Sequence, residues 1–293
     1  MLIERAIEKL KKTGGMPDPS PALRDKARDA VSRRRGAAPK PAIRPQRTLD
    51  FPKIPLDPAM LAANRIVDPA STLKRDAAAQ SSFRMLRSRM LNKMRTAGWS
   101  SLAITSPGAG EGKTLVATNL ALSMAREGSS DVFLLDLDMR NPSICRSLGV
   151  SPRAEIVDFF QGSTTPESLF FSVGSDGLLV AGGQASTDAA SELIASAQFE
   201  ALIDYIKGFA FNPIIIIDLP PVLVSDEAIV LAPRVDATAL IVAEGRTHRD
   251  GLVKAKQLLA ENAFAGVILN RSTEPLGATE YYGYANSGGG VRS

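Results

Sequence analysis

The chain has 293 residues, 44% of them hydrophobic and 5% aromatic, with a formal charge of +4; this is enough for one α/β domain of ~200 residues with an aliphatic core, plus extra sequence. One cysteine, Cys145, excludes a disulfide framework or a cysteine-held metal cluster, and one histidine, His248, excludes a metal site or catalytic triad built on histidine. Charges precede any apolar run at the start, so no signal peptide is read, and the lack of any run of ~18 apolar residues predicts a cytoplasmic protein.

Residues 1–15 read as a short amphipathic helix, with Leu2, Ile3, Ala6 and Leu10 on one face and Glu4 and Glu8 near Lys12 on the other, stopped by Gly14-Gly15. Residues 16–70 read as a basic, proline-rich and mostly disordered linker: residues 16–60 hold nine of the 19 prolines together with Arg33-Arg34-Arg35. Residues 1–100 carry 22 Lys+Arg against 9 Asp+Glu, a net of +13, which leaves −9 for residues 101–293. A basic front joined to an acidic body points to an acidic or membrane-surface partner, with a merely solvated tail as the competing reading. Residues 71–275 then form the expected nucleotide-binding domain, and residues 276–293 a flexible tail. The domain opens with helical periodicity over 71–96, where Phe83, Leu86, Met90 and Met94 make an apolar stripe flanked by Arg84, Arg87, Arg89, Lys93 and Arg95.

From residue 101 onward, strands and helices alternate. The pattern predicts strands over 102–106, 132–138, 213–219, 237–243 and 266–270, with helices over 113–127, 191–207, 225–232 and 249–262. The strands are continuous Val/Ile/Leu runs, as expected when helices cover both faces of a sheet. The fold class is therefore α/β: a doubly wound, mostly parallel sheet whose ligands bind at the carboxyl ends of the strands.

Those carboxyl ends carry the chemistry. After the first strand comes Ser106-Pro107-Gly108-Ala109-Gly110-Glu111-Gly112-Lys113-Thr114. A strand, a glycine loop and Gly-Lys-Thr opening a helix make a cradle in which backbone N–H groups face nucleotide phosphates. Lys113 reaches the β/γ oxygens there, and the Thr114 hydroxyl takes a place on Mg²⁺. Pro107 stands where the pattern has Gly or Ala. The second strand ends in Leu134-Leu135-Asp136-Leu137-Asp138-Met139-Arg140; residues i and i+2 of an extended chain share a face, so both carboxylates can meet the phosphates. A third strand ends in Ile216-Ile217-Asp218-Leu219-Pro220-Pro221. Carboxylates at the tips of apolar strands need cations or hydrogen-bond donors, so Asp136 and Asp218 read as metal ligands or bases, with capping of a following helix as the alternative.

These elements resemble the bacterial tyrosine autokinases of capsule and exopolysaccharide synthesis, on the MinD/ParA-like phosphate-loop NTPase fold, over roughly residues 80–285. The resemblance implies an ATP- and Mg²⁺-dependent protein-tyrosine kinase with Lys113, Asp136, Asp138 and Asp218 as catalytic residues. It implies nucleotide binding by Gly108, Ala109, Gly110, Glu111, Gly112, Lys113, Thr114 and Asn270, and metal binding by Thr114, Asp136 and Asp218. Three of the four tyrosines, Tyr281, Tyr282 and Tyr284, fall within four positions of the tail; the resemblance makes them autophosphorylation sites presented to a neighbouring subunit, while Tyr205, on a helix, reads as core. It also implies a homo-oligomer with Arg84, Arg87 and Arg140 at subunit contacts, recruitment to the inner face of the membrane by a polysaccharide co-polymerase-type activator or an anionic surface, and no specific nucleic acid. Ser81 replaces the family's usual Glu at the contact helix. The alternative within the same fold is a positioning ATPase without tyrosine phosphorylation, against which Gly108 occupies the place of its signature lysine. A nucleotide-binding scaffold without chemistry is a further rival, and the single cysteine removes an iron–sulphur reductase.

Overall fold

The computed structural model describes residues 51–68, 71, 76–174, 177–260 and 262–273. The helix expected over 1–15, the linker up to residue 50 and the tyrosine tail from 276 lie outside the described residues. One eight-stranded sheet organises the remainder in the order β1-β4-β5-β3-β6-β2-β7-β8. Its strands are β1 (Lys53–Ile54), β2 (Ser101–Thr105), β3 (Val132–Asp136), β4 (Phe171–Val173), β5 (Leu178–Ala181), β6 (Ile214–Asp218), β7 (Ala237–Ala243) and β8 (Phe264–Asn270). All neighbouring pairs are parallel except β4–β5.

The helices are α1 (Pro58–Ala63), α2 (Ala77–Ala97), α3 (Lys113–Ala125), α4 (Ile144–Leu148), α5 (Ile156–Phe160), α6 (Pro166–Leu169), α7 (Ala190–Ala195), α8 (Gln198–Phe209), α9 (Glu227–Leu231) and α10 (Arg249–Leu258). They cover both sheet faces, and the central strands show it residue by residue. Ile215 and Ile217 of β6 enter one apolar cluster with Phe133, Phe199 and Leu202; Ile214 and Ile216 enter the other with Leu102, Leu120 and Met94. Every residue from Val116 to Ala125 of α3 is buried, because α2 lies over it. Asp236 fixes the start of the central strands: its Oδ2 accepts from the N–H groups of Ser100 and Ser101 at 2.7 and 2.8 Å and from both hydroxyls at 3.0 and 2.9 Å.

Several expectations need correction. The predicted linker does not extend to residue 70: within 51–68, β1 pairs with β4, Asp57 caps α1 through its side chain, and Phe51, Leu61 and Ile66 are buried. Pro52 and Pro55 flank an edge strand, and Pro58 sits in the first turn of a helix, both places where a missing N–H is tolerated. The helix expected over 191–207 is two helices, because Ser196 is extended (φ −69°, ψ 165°) and its hydroxyl donates to the Leu193 carbonyl at 2.6 Å. The strand expected over 132–138 ends at Asp136. The helix expected over 225–232 is α9 followed by a 3-10 turn at Ala232–Arg234, and the helix expected to reach 262 ends at Leu258. Tyr205 is half-buried against Phe170 and Phe209, as a core residue.

Candidate active site

The loop between β2 and α3 carries two glycines with left-handed backbone, Gly110 (φ +75°) and Gly112 (φ +91°). A Cβ on Gly112 would stand 2.2 Å from Asn270 Nδ2, and one on Gly110 2.8 Å from an Arg246 guanidinium nitrogen. Both positions favour glycine for their left-handed backbone, and an added Cβ would also have to displace the ends of the Asn270 and Arg246 side chains. Pro107 is buried and free of left-handed backbone, so proline fits where the motif has Gly or Ala. Ala109 sits at the exposed tip.

Side chains from other elements hold this loop in shape. Asn270, at the end of β8, donates to the Glu111 carbonyl at 2.9 Å. The Glu111 side chain is 4% exposed and turns inward, accepting from Gly108 N–H at 3.1 Å and from the Thr247 hydroxyl at 2.5 Å. Arg271 donates to the Gly110 carbonyl at 2.9 Å. Glu111 and Asn270, expected to touch nucleotide, thus have structural partners within the loop. Thr247 and Arg246, which follow the adjacent strand β7, and Arg271, which follows β8 one strand further, were missed because they share no motif with the loop; an acid inside a glycine loop was the one available signal.

At the mouth, five predicted residues converge. Asp136 and Asp218 end adjacent strands directly opposite each other in the β3–β6 register. Lys113 Nζ lies 2.6 Å from Asp138 Oδ2 and 3.7 Å from Asp218 Oδ2. The Thr114 hydroxyl donates to Asp218 Oδ2 at 2.5 Å. Asp136 Oδ2 accepts from the N–H groups of Ser143 and Ile144, at 2.8 and 2.9 Å, and so also holds the start of α4. The capping alternative describes Oδ2, while Oδ1 has no hydrogen-bond partner. Asp138 reaches the site by a different route from the one expected: it lies beyond the end of β3, in a turn whose carbonyl at 138 accepts from Asn141 N–H, and its side chain meets Lys113.

Electrostatics follow from burial. Asp136 and Asp218 are 0% exposed. Burial, reinforced by the neighbouring Asp218 charge, pushes the Asp136 carboxyl up to about 7. Burial raises Asp218 to about 6, against the opposing pull of Lys113 and Thr114. Burial alone would lower the Lys113 pKa, but the three surrounding carboxylates, Asp218 first, raise it above its ordinary value. Asp136 Oδ1 and Asp218 Oδ1 are buried without a hydrogen-bond partner. Two unpartnered carboxylate oxygens on residues paired in register, one of them on the carboxylate that takes the Thr114 hydroxyl, have the chemistry of ligands for a hard divalent cation. Among the described residues no group of three or more His, Cys, Asp and Glu could hold a metal ion.

The three predicted subunit-contact arginines lie elsewhere. Arg140 Nε donates at 2.6 Å to Glu227, a fully buried carboxylate at the start of α9 that sequence reading missed. Arg87 donates to the Ser123 carbonyl at 3.0 Å and pairs with Glu127 at 3.5 Å, joining α2 to α3 within the chain. Arg84 is exposed on α2. Tyr281, Tyr282 and Tyr284 lie outside the described residues.

Comparison with known proteins agrees with this geometry. The family model ParA, described as NUBPL iron-transfer P-loop NTPase, matches residues 99–258, more than half of the chain. The tyrosine-protein kinase CpsD of Streptococcus agalactiae is 30% identical over 185 residues, which cover 62% of this chain and 80% of that protein. The solved chimerical protein CapA2B2 aligns with a TM-score of 0.63 at 26% identity, covering 77% of this chain and 96% of that one. The VpsO kinase domain aligns at 0.61 and 25%, covering 68% and 98%. Iron transfer has no counterpart here: Cys145 is the one cysteine, and burial pushes its thiol up to about 12.

Proposed function

The chain belongs to the bacterial tyrosine-protein kinases built on the ParA-type P-loop NTPase fold, and from that premise we propose that it transfers the ATP γ-phosphate to Tyr281, Tyr282 and Tyr284 of a neighbouring copy, regulating capsule or exopolysaccharide synthesis and export. The observation that carries this reading is the convergence of Lys113, Thr114, Asp136, Asp138 and Asp218 on the glycine loop, with two buried carboxylate oxygens left unpaired. Thr114, Asp136 and Asp218 are the residues that would hold the Mg²⁺ of an ATP·Mg²⁺ substrate, whose charge neutralises phosphate oxygens. The loop amides and Lys113 bind the phosphates, Lys113 exchanging Asp138 for β/γ oxygens. A carboxyl held near neutrality suits Asp136 to orient a tyrosine hydroxyl and accept its proton. Positioning and charge supply most of the acceleration.

Among the described residues no helix is long and apolar enough to cross a membrane. The basic composition of residues 24–47 supports docking of the chain at the inner face of the membrane, on an activator's cytosolic segment or an anionic surface. The test of transfer between copies is a mixture. A Lys113→Met chain with an intact tail is combined with an active chain whose three tail tyrosines are Phe. Phosphotyrosine on the Lys113→Met chain is expected, and a mixture without label contradicts transfer in trans.

A further inference from the structure

The glycine loop is bonded along one edge to the end of β8. The Gly110 carbonyl accepts from the Arg271 guanidinium and the Glu111 carbonyl from Asn270 Nδ2, both at 2.9 Å. In a planar trans peptide the C=O and the following N–H point to opposite sides. Two successive carbonyls turned toward β8 therefore turn two successive amides, Glu111 N–H and Gly112 N–H, the other way. In the sheet order β6-β2-β7-β8 that is the β6 side, where Lys113 and Thr114 meet Asp218. Among the described residues neither amide donates to another group of the chain. The Glu111 carboxylate, which would repel an anion, is drawn off onto Gly108 N–H and the Thr247 hydroxyl.

Arg271 is held for this contact. It is one of three non-glycine residues with left-handed backbone among the described residues (φ +59°), a conformation that arginine rarely adopts and that persists where surrounding bonds enforce it. Such bonds are present on both sides. Arg271 N–H donates to Asn270 Oδ1 at 2.9 Å, so the one Asn270 side chain fixes both the backbone at Arg271 and the Glu111 carbonyl. Two residues on, Thr273 N–H donates to Glu244 Oε2 at 2.7 Å. The turn brings the guanidinium back over the loop. The same turn is the root from which the chain runs into the tyrosine tail, residue 276 being three positions beyond Thr273.

We propose that Arg271 is a positioning residue for nucleotide: by holding the Gly110 carbonyl it aims Glu111 N–H at the phosphates, and it thereby couples the filling of the loop to the root of the tail. The inference deepens the proposed ATP site and rests on that reading; it does not depend on tyrosine transfer. Amides fixed in place before the anion arrives bind it without reorganisation, and successive amides in a left-handed glycine turn form a concave anion nest. Removing the guanidinium frees the Gly110 peptide to rotate, so the amide must be ordered when nucleotide binds, and affinity for ADP and ATP falls alike. The coupling is reciprocal: a filled loop orders the root, and an ordered root raises the affinity of the loop.

The test uses the full chain with ADP and Mg²⁺, read by calorimetry and by hydrogen exchange. Arg271→Gly keeps the left-handed backbone and removes the guanidinium; it should weaken ADP about five-fold with the circular dichroism spectrum unchanged. Arg271→Lys, which keeps a cationic donor, should recover most of that loss. The same loss is expected at about 0.5 M salt, where an exposed charge is screened; a loss confined to low salt would make Arg271 a source of charge alone and overturn the positioning role. In the parent, ADP should slow exchange at residues 108–114 and at 271–273, and in Arg271→Gly only at 108–114. Parent-like affinity in Arg271→Gly overturns the inference, as does exchange at 271–273 that is indifferent to ADP in the parent. Exchange at 108–114 that is indifferent to ADP overturns the nucleotide site itself. A chain that binds ADP in this way without making phosphotyrosine would overturn the proposed transfer and leave the role of Arg271 standing.

Discussion

Replacing Asp136 by asparagine isolates the charge of the active site from its scaffolding. The variant keeps a side-chain carbonyl to accept from Ser143 and Ile144 N–H, and it removes the titrating group. In the folded chain the Asp136 carboxyl rises from 3.8 to about 7, through burial and then the charge of Asp218. At about 1.36 kcal/mol per pH unit, folding disfavours its ionised form by about 4 kcal/mol. The sign follows from proton counting. Between about pH 4 and pH 7 the folded chain holds this proton and the unfolded chain has lost it, so the group's contribution to stability falls as pH rises through that window and is level above it. The stability of Asp136→Asn relative to the parent should therefore grow by about 3 kcal/mol between pH 5 and pH 8, on the order of two pH units of the window. Urea unfolding in EDTA without nucleotide, followed by the fluorescence of Trp99, the single tryptophan, measures it. A difference that is the same at both pH values, or that shrinks as pH rises, would mean that Asp136 is ionised and satisfied in the folded chain, and the argument for a poised carboxyl would be lost.

Two further substitutions probe neighbouring parts of the account. Gly112→Ala puts a Cβ 2.2 Å from Asn270 Nδ2 on a backbone with φ +91°, so affinity for a fluorescent ATP analogue should fall at least ten-fold, about 1.4 kcal/mol, with the circular dichroism spectrum unchanged; affinity equal to the parent's would mean that this loop is not the nucleotide cradle. Arg140→Ala leaves the buried Glu227 carboxylate without its ion-pair partner, which should lower the thermal midpoint by several degrees, and adding Glu227→Gln should restore most of it. Equal midpoints for Arg140→Ala and the parent would show that the pair does not hold α9 in place.

The central architecture was legible because its strands are uninterrupted aliphatic runs. Ile214–Ile217 alternates between two cores, so every position is apolar, and the strand reads clearly from sequence. The edge was not legible: β1 has two residues and β4 three, set among prolines, serines and glycines whose local signal is a loop, and pairing supplies their order. The same holds for residues 51–68, where Phe51, Leu61 and Ile66 find a core that composition alone could not promise. In the site, Lys113, Thr114, Asp136 and Asp218 followed from their places at strand ends and helix starts. Asp138 was expected through strand alternation, but a turn beyond β3 brings it to Lys113. Glu111–Thr247, Arg140–Glu227 and Arg271–Gly110 are contacts across 136, 87 and 161 residues of chain; no spacing rule reaches that far.

The most direct test of the central claim is incubation of the full chain with labelled ATP and Mg²⁺, reading phosphotyrosine on the parent and on a Tyr281→Phe, Tyr282→Phe, Tyr284→Phe triple variant. The account predicts label on the parent that is almost entirely lost in the triple variant while ATP binding is retained. ATP hydrolysis without phosphotyrosine, even with the cytosolic segment of a membrane activator added, or label undiminished in the triple variant, would contradict it.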